Sequence, residues 1–237
     1  MELAAGASYA GARSMVTMKQ VGLNVASDPL MSLEYVGIKG GMVILVADDP
    51  GPISSQTEQD TRHFSRFSKL PCFDPSSAQE AYEMIQEAFE YSEKYGTPVF
   101  LRPTTRVCHG YASIMVKDET EYTHHQPEGF IKDSKRWVIF PRLSFMNHKK
   151  IEARNQELSD IFSSYEKNTI HPSCDAFKNS KKGIATGGIS YTYTMETLKK
   201  TGMVKTLKIA TPHPFPEKLA VDFLSGLDEV LCLEELD

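Results

Sequence analysis

The chain has 237 residues, enough to bury one large core or two small ones. Its 31 acidic residues outnumber 26 basic ones for a net charge of −5, which excludes the basic footprint of a nucleic-acid binder. Cys72, Cys108, Cys174 and Cys232 form no CxxC pair, so neither a zinc nor an iron–sulfur site can be read from them. No apolar run approaches the ~20 residues of a membrane helix, and no basic stretch followed by an apolar one opens the chain. A reduced, cytoplasmic chain is the expectation.

In chain order, residues 3–13 are almost all small and predict a helix whose glycines let another backbone approach closely. Val16 to Gly22 reads as a short strand opening into a polar turn. Ser27-Asp28-Pro29 predicts the cap of a following helix, with Pro29 at its first position. Gly40-Gly41 punctuates the entry to an apolar strand over 42–47. Ser77 and Glu80 have capping-box spacing, Tyr82, Ile85 and Phe89 form a stripe, and Gly96 is a C-cap, so 78–95 is a helix. A buried strand follows over 98–102, making a parallel α/β unit. From 111 to 175 charges, histidines and aromatics mix without a sustained period, apart from a helix near 150–167 and a short strand at Trp137–Pro141. A second α/β pattern runs from Lys182: strand into glycine turn, helix over 190–201, strand over 206–209, helix over 216–224 and strand over 229–233.

The densest chemistry follows the strand at 42–47. Two acids and a Pro-Gly-Pro turn end the apolar run, and a loop rich in hydroxyls, amides and charges continues to Arg66. Ligands of α/β proteins gather at the carboxyl ends of such strands, so this loop is either a site or a solvated surface loop. Arg102-Pro103-Thr104-Thr105-Arg106 closes the next strand and can receive either an anion, such as a coenzyme A phosphate, or a neighbouring subunit's acids. Thr186-Gly187-Gly188 before a helix is a potential anion nest. Pro212-His213-Pro214-Phe215-Pro216 is a rigid turn that starts a helix.

With Gly6-Ala7-Ser8-Tyr9-Ala10-Gly11-Ala12-Arg13 and Thr17-Met18-Lys19-Gln20-Val21-Gly22-Leu23-Asn24, the loop closely resembles the indolepyruvate:ferredoxin oxidoreductase α subunits of the thiamine-diphosphate-dependent 2-oxoacid:ferredoxin oxidoreductase family. The match is strongest over residues 2–106 and resumes over 183–237. The resemblance implies a pyrimidine-binding α/β domain over 1–110, a connector over 111–181 and a transketolase-C-like α/β domain over 182–237. It implies oxidative decarboxylation of an aryl pyruvate to an aryl-acetyl-CoA with reduction of ferredoxin. Thiamine diphosphate with magnesium, iron–sulfur clusters and coenzyme A would serve the complete enzyme, and a β subunit, ferredoxin and the 2-oxo acid would be its partners.

By the same resemblance, Arg66 matches the position whose guanidinium binds the substrate carboxylate, a task suited to a planar fork of donors. Alternatively Arg66 pairs with Glu58 or Asp60 on its own loop. Arg62 and His63 are further substrate candidates. Thr17, Lys19, Gln20 and Asn24, with Gln56, Glu58 and Gln59, fall where the family lines its cofactor pocket; buried amides that merely satisfy turns are the alternative. Phe64, Phe67 and Phe73 can wall an indole or serve as ordinary core. The family's catalytic glutamate has no match, Glu2 being better read as a helix-start acid. A diphosphate-binding motif has none either. The expectation is therefore a partial chain inactive alone. The alternatives are a non-catalytic partner-binding remnant, or one subunit of a split thiamine-diphosphate-dependent oxidoreductase or decarboxylase.

Overall fold

A computed structural model describes residues 1–122 and 125–236; Thr123, His124 and Asp237, within the expected connector and second unit, lie outside them. The first unit opens with α1 (Glu2–Tyr9), β1 (Ser14–Lys19), α2 (Gln20–Val36) and β2 (Met42–Ala47). It continues through α3 (Thr61–Ser68), β3 (Cys72–Phe73), α4 (Ala78–Tyr95) and β4 (Val99–Leu101). Its sheet is wholly parallel, in the order β1-β2-β4-β3. Helices cover both faces, so β2 reads as an unbroken apolar run rather than an alternating one. Met42, Ile44 and Val46 face Leu23, Leu30 and Leu33 of α2, while Val43 faces Met84 and Ala88 of α4.

α4 matches the sequence reading. The Ser77 hydroxyl accepts the Glu80 amide hydrogen at 3.2 Å and Gly96 is left-handed. The Glu80 carboxylate, however, turns back to the amide and hydroxyl of Ser76 instead of completing the box at Ser77.

Three local expectations fail. Pro29 does not start a helix; it lies inside α2, which begins at Gln20. The Val25 carbonyl, which loses its helical donor to the proline, belongs to a residue open to solvent, and burial of Leu23, Leu30 and Leu33 holds the helix across the defect. Ser27 donates its hydroxyl to the Asn24 carbonyl rather than capping anything. Of the glycines in 3–13, Gly6 within α1 has no neighbour near its missing side chain; backbone approaches closely only past the helix, at Gly11, where a Cβ would stand 3.3 Å from the Glu128 amide nitrogen, and across from it at Gly40, where one would stand 2.3 Å from the Ala12 carbonyl oxygen. Trp137–Pro141 is not a strand either. After α5 (Thr105–Cys108) comes α6 (Ser134–Trp137), capped by Asp133, and Pro141 opens α7 (Pro141–Phe162). Val138, Ile139 and Phe140 are exposed, and no strand among the described residues pairs with them.

The second sheet has the order β5-β7-β6-β8, from β5 (Thr169–His171), β6 (Lys182–Gly187), β7 (Lys205–Ile209) and β8 (Glu229–Leu233). β5 runs antiparallel to β7 and the rest are parallel, with α8 (Gly188–Thr201) and α9 (Glu217–Leu224) as crossovers. β5 belongs to the 111–181 stretch. α7 lies against the first unit, where Leu158 and Phe162 join Phe73, Met84, Leu101 and Ala210 in one core. The two units also exchange backbone hydrogen bonds, from Cys72 N–H to the His213 carbonyl (2.7 Å) and from Asp74 N–H to that of Ala210 (2.8 Å). In the buried space between them Lys208 pairs with Glu80.

Candidate active site

Three neighbouring parallel strands end in charge: β2 in Asp48 and Asp49, β3 in Asp74 and β4 in Arg102. Arg102 is 2% exposed and gathers the acids. Its Nε donates to Asp48 (2.6 Å), its Nη1 to Asp74 (3.1 Å), and its Nη2 stands 3.6 Å from Asp60. The expectation that Arg102 receives an anion or a neighbour's acids is thus corrected: its partners are three carboxylates of its own chain. Burial opposes the guanidinium charge, but those carboxylates more than offset it and its pKa rises. Burial has the opposite consequence for Asp74, whose carboxyl is pushed up to about 6 despite Arg102.

The second acid organises the loop. Asp49 Oδ2 accepts the amide hydrogens of Ser54 and Ser55, both at 2.8 Å, and Oδ1 accepts the Thr105 hydroxyl at 2.8 Å. Those donors, the Ser54 amide foremost, hold its pKa well below the usual carboxylate range. Lys19, at the end of β1, reaches Asp49 at 3.5 Å and also donates to Ser54 and Ser55. Polar composition had made residues 48–66 read as one loop. Its second half is instead α3, because Asp60 caps the helix through the Arg62 amide and Asp48 receives both the amide (2.9 Å) and hydroxyl (2.5 Å) of Thr61.

Between the start of α2 and α3 lies a cleft of about 310 Å³ with a mixed wall. Leu23, Phe64 and Phe67 supply the apolar side; Gln20, Asn24, Gln59 and His63 supply polar groups. Gln20 is 1% exposed, and its Nε2 donates to the Thr57 carbonyl at 3.0 Å. Its Oε1 has no hydrogen-bond partner among the described residues, a costly condition for a buried acceptor.

The expected site residues therefore fall into groups. Gln20, Asn24, Gln59 and His63 share this cleft, and Lys19 stands beside it under the Ser54–Ser55 turn. Arg62, in the first turn of α3, pairs with Asp60 at 2.7 Å. Arg66, in the last turn, lines a separate cleft of about 480 Å³ with Asn155 and Ser159 of α7 and the 212–217 turn. It makes no ion pair with Glu58 or Asp60. Thr17 is on the exposed face of edge strand β1, Gln56 is exposed, and Glu58 accepts from the Gly51 amide in the loop. Phe73 is buried far into the core shared with α7. At Thr186-Gly187-Gly188 the would-be nest faces the chain's own Asp74, whose carboxylate lies 3.2 Å from where a Gly188 Cβ would be. Sequence reasoning missed Asp60 and Asp74 as site-building acids. The signal of Asp74 was positional, since a strand-end acid acquires meaning only once strand order is known, and that of Asp60 was its place as the N-cap of α3.

The sequence profile of the pyruvate flavodoxin/ferredoxin oxidoreductase thiamine-diphosphate-binding domain matches residues 1–185. The chain belongs to this family. All of it aligns with the indolepyruvate oxidoreductase subunit IorA of Methanothermobacter thermautotrophicus, 41% identical over 239 residues, and with that of Pyrococcus abyssi, 42% identical over 241. It spans 38% and 37% of those subunits. Among solved structures, a 2-oxoglutarate:ferredoxin oxidoreductase from Magnetococcus marinus shares the fold at TM-score 0.67 and 17% identity, covering 98% of this chain and 47% of that one. A split-gene transketolase does so at TM-score 0.57 and 14% identity, over 99% and 61%.

Proposed function

We propose that this chain forms the pyrimidine-side half of the thiamine diphosphate site in an indolepyruvate:ferredoxin oxidoreductase α subunit, with residues 1–110, 111–181 and 182–237 as its pyrimidine-binding domain, connector and transketolase-C-like domain. The observation that carries the reading is 41–42% identity, along the whole chain, to indolepyruvate oxidoreductase subunits. The cleft fits the cofactor's ring: a buried acceptor without a donor, Gln20 Oε1, suits an amino-substituted heteroaromatic, and Leu23 and Phe64 offer its faces apolar contact. Bound there, thiamine diphosphate supplies the electron sink for decarboxylating a 2-oxo acid. Gln20 and Asn24 orient the ring, with Lys19 and the Ser54–Ser55 turn fixing the loop beside it. His63 and Phe67 line the way to an aryl side chain. Magnesium and diphosphate, the iron–sulfur clusters and coenzyme A belong in this reading to other parts of the enzyme, which works with a β subunit and ferredoxin.

Of the two arginines on α3, the placement favours Arg62 for the substrate carboxylate. It sits in the first turn of α3 beside the capping Asp60, toward the strand ends, whereas Arg66, one turn further on, lines another cleft; neither is among the residues that line the Gln20 cleft. In the assembled oxidoreductase carrying this segment, Arg62→Ala should lower kcat/KM for indolepyruvate ~30–1000-fold, the loss of about 2–4 kcal/mol from a charge-assisted contact. Arg62→Lys should recover part of it, while Arg66→Ala should stay within about threefold of wild type. Dye reduction that needs thiamine diphosphate and coenzyme A, compared for indolepyruvate, pyruvate and 2-oxoglutarate, tests the substrate class. Turnover of pyruvate or 2-oxoglutarate in preference to indolepyruvate would overturn it.

A further inference from the structure

A cleft of about 400 Å³ opens at the other end of the first sheet, where α2 and α4 end and where α6 and α7 of the connector close over them. In a chain of net charge −5, Lys135, Arg136, Lys150 and Arg154 line it against two acids, Glu34 and Asp133. Both acids are engaged. Glu34 is buried, paired with Arg154 at 2.7 Å and bonded by the Thr97 hydroxyl at 3.1 Å, and Asp133 caps α6 through the Lys135 amide at 2.9 Å. Two of the cations are already committed. Arg154 also donates to the Lys69 carbonyl at 2.8 Å, and Arg136 spends one N–H on the Ile38 carbonyl at 2.9 Å, just past the end of α2, where a cation is favoured. Lys135 and Lys150 are exposed and make no ion pair among the described residues.

Tyr35, Tyr95 and Leu143 line the same cleft. Both tyrosine hydroxyls are occupied on α7, that of Tyr35 by His148 at 3.0 Å and that of Tyr95 by Glu157 at 3.4 Å, so the rings are what they offer a ligand. Lysine ammoniums are point charges on flexible stems and suit phosphate oxygens, and the volume is that of a small-molecule site. We propose that this cleft binds a nucleoside phosphate, its base against Tyr35 and Tyr95 and its phosphates on Lys135, Lys150 and the remaining N–H groups of Arg136. The site lies at the amino-terminal ends of the strands, so it does not rest on the reading of the cofactor cleft. Its occupant ties the ends of α2 and α4 to α6 and α7, which gives the connector a task and makes its hold on the first unit depend on ligand concentration.

Trp137, the chain's single tryptophan, reports on the site, since the Arg136 guanidinium lies 4.4 Å from its ring centroid. Titrating ADP into the whole chain should change Trp137 emission saturably, with a Kd of about 10–500 μM that calorimetry reproduces. Adenosine and inorganic phosphate should each bind at least ~10-fold more weakly, because each keeps only half of the contacts. Lys150→Gln should raise the Kd for ADP ~3–10-fold, and adding Lys135→Gln should raise it further. Lys199→Gln, at an exposed lysine on α8, should leave it unchanged. No saturable binding of ADP below ~10 mM, or a Kd indifferent to the Lys135→Gln and Lys150→Gln pair, would overturn the proposal. Phosphate that binds as tightly as ADP would also overturn it, leaving a plain anion site.

Discussion

Arg102 shows how a single residue organises the strand ends. A buried guanidinium is tolerable only with its charge compensated, and here three carboxylates converge on it from the ends of β2, β3 and the α3 cap. Asp74 bears the cost of that crowding: one oxygen reaches Arg102, the other has no hydrogen-bond partner among the described residues, and burial raises its pKa to about 6 from 3.8. Between those values the folded chain holds a proton that the unfolded chain has lost. Asp74 therefore favours the fold below about pH 4, and that contribution is lost as pH rises through about 6. Over this interval the stability of the wild type should decline relative to Asp74→Asn by roughly 3 kcal/mol. Urea midpoints of both proteins at several pH values measure the difference, and parallel profiles would refute it.

At the scale of elements, the turn joining α1 to β1 is pressed against the entry of β2. Ser8 donates its hydroxyl to the Gly40 carbonyl at 2.5 Å and accepts the Gly40 amide hydrogen on its own carbonyl at 2.8 Å. A side chain at Gly40 would meet the Ala12 carbonyl at 2.3 Å, so backbone must move. Gly40→Ala should accordingly destabilise by about 1–3 kcal/mol. Gly6→Ala should do the reverse: it lies on the exposed side of α1 with open space around it, and alanine's helix propensity is worth up to ~1 kcal/mol there. Thermal melts of the two variants should move in opposite directions. Equal losses would mean that α1 packs tightly through Gly6 after all.

For the whole molecule the decisive feature is a core common to both units. Phe162 of α7 touches Phe73 of β3 edge-on, with ring centroids 5.7 Å apart, and shares its cluster with Ala210 beyond β7. With the buried Glu80–Lys208 pair beside it, neither sheet should open alone. Phe162→Ala should cost about 3–5 kcal/mol and raise hydrogen exchange in β4 and β7 by similar factors. Exchange that rises in one sheet only would show two units that unfold independently.

Much of the local structure was legible in the residues. β2 is bounded by Gly40-Gly41 and Asp48-Asp49, α4 by Ser77 and Gly96, and β6 to β8 by turn glycines and prolines, because propensity and capping act over a few neighbouring residues. The family was legible for a related reason, since its motif residues are contiguous. Pro29 was misread because burial of α2 overrode a local breaker. The site was legible in part. Gln20, Asn24, Gln59 and His63 converge on one cleft, but nothing in the spacing of Arg62 and Arg66 told that neither would line it, Arg62 pairing with Asp60 and Arg66 lining another cleft. Nor could composition say that Arg102 would be consumed by its own chain, or that Glu234 would cross 172 positions to reach Arg62. Those outcomes depend on strand order and on how two sheets pack, and long-range electrostatic partners are assigned only when folding brings them together.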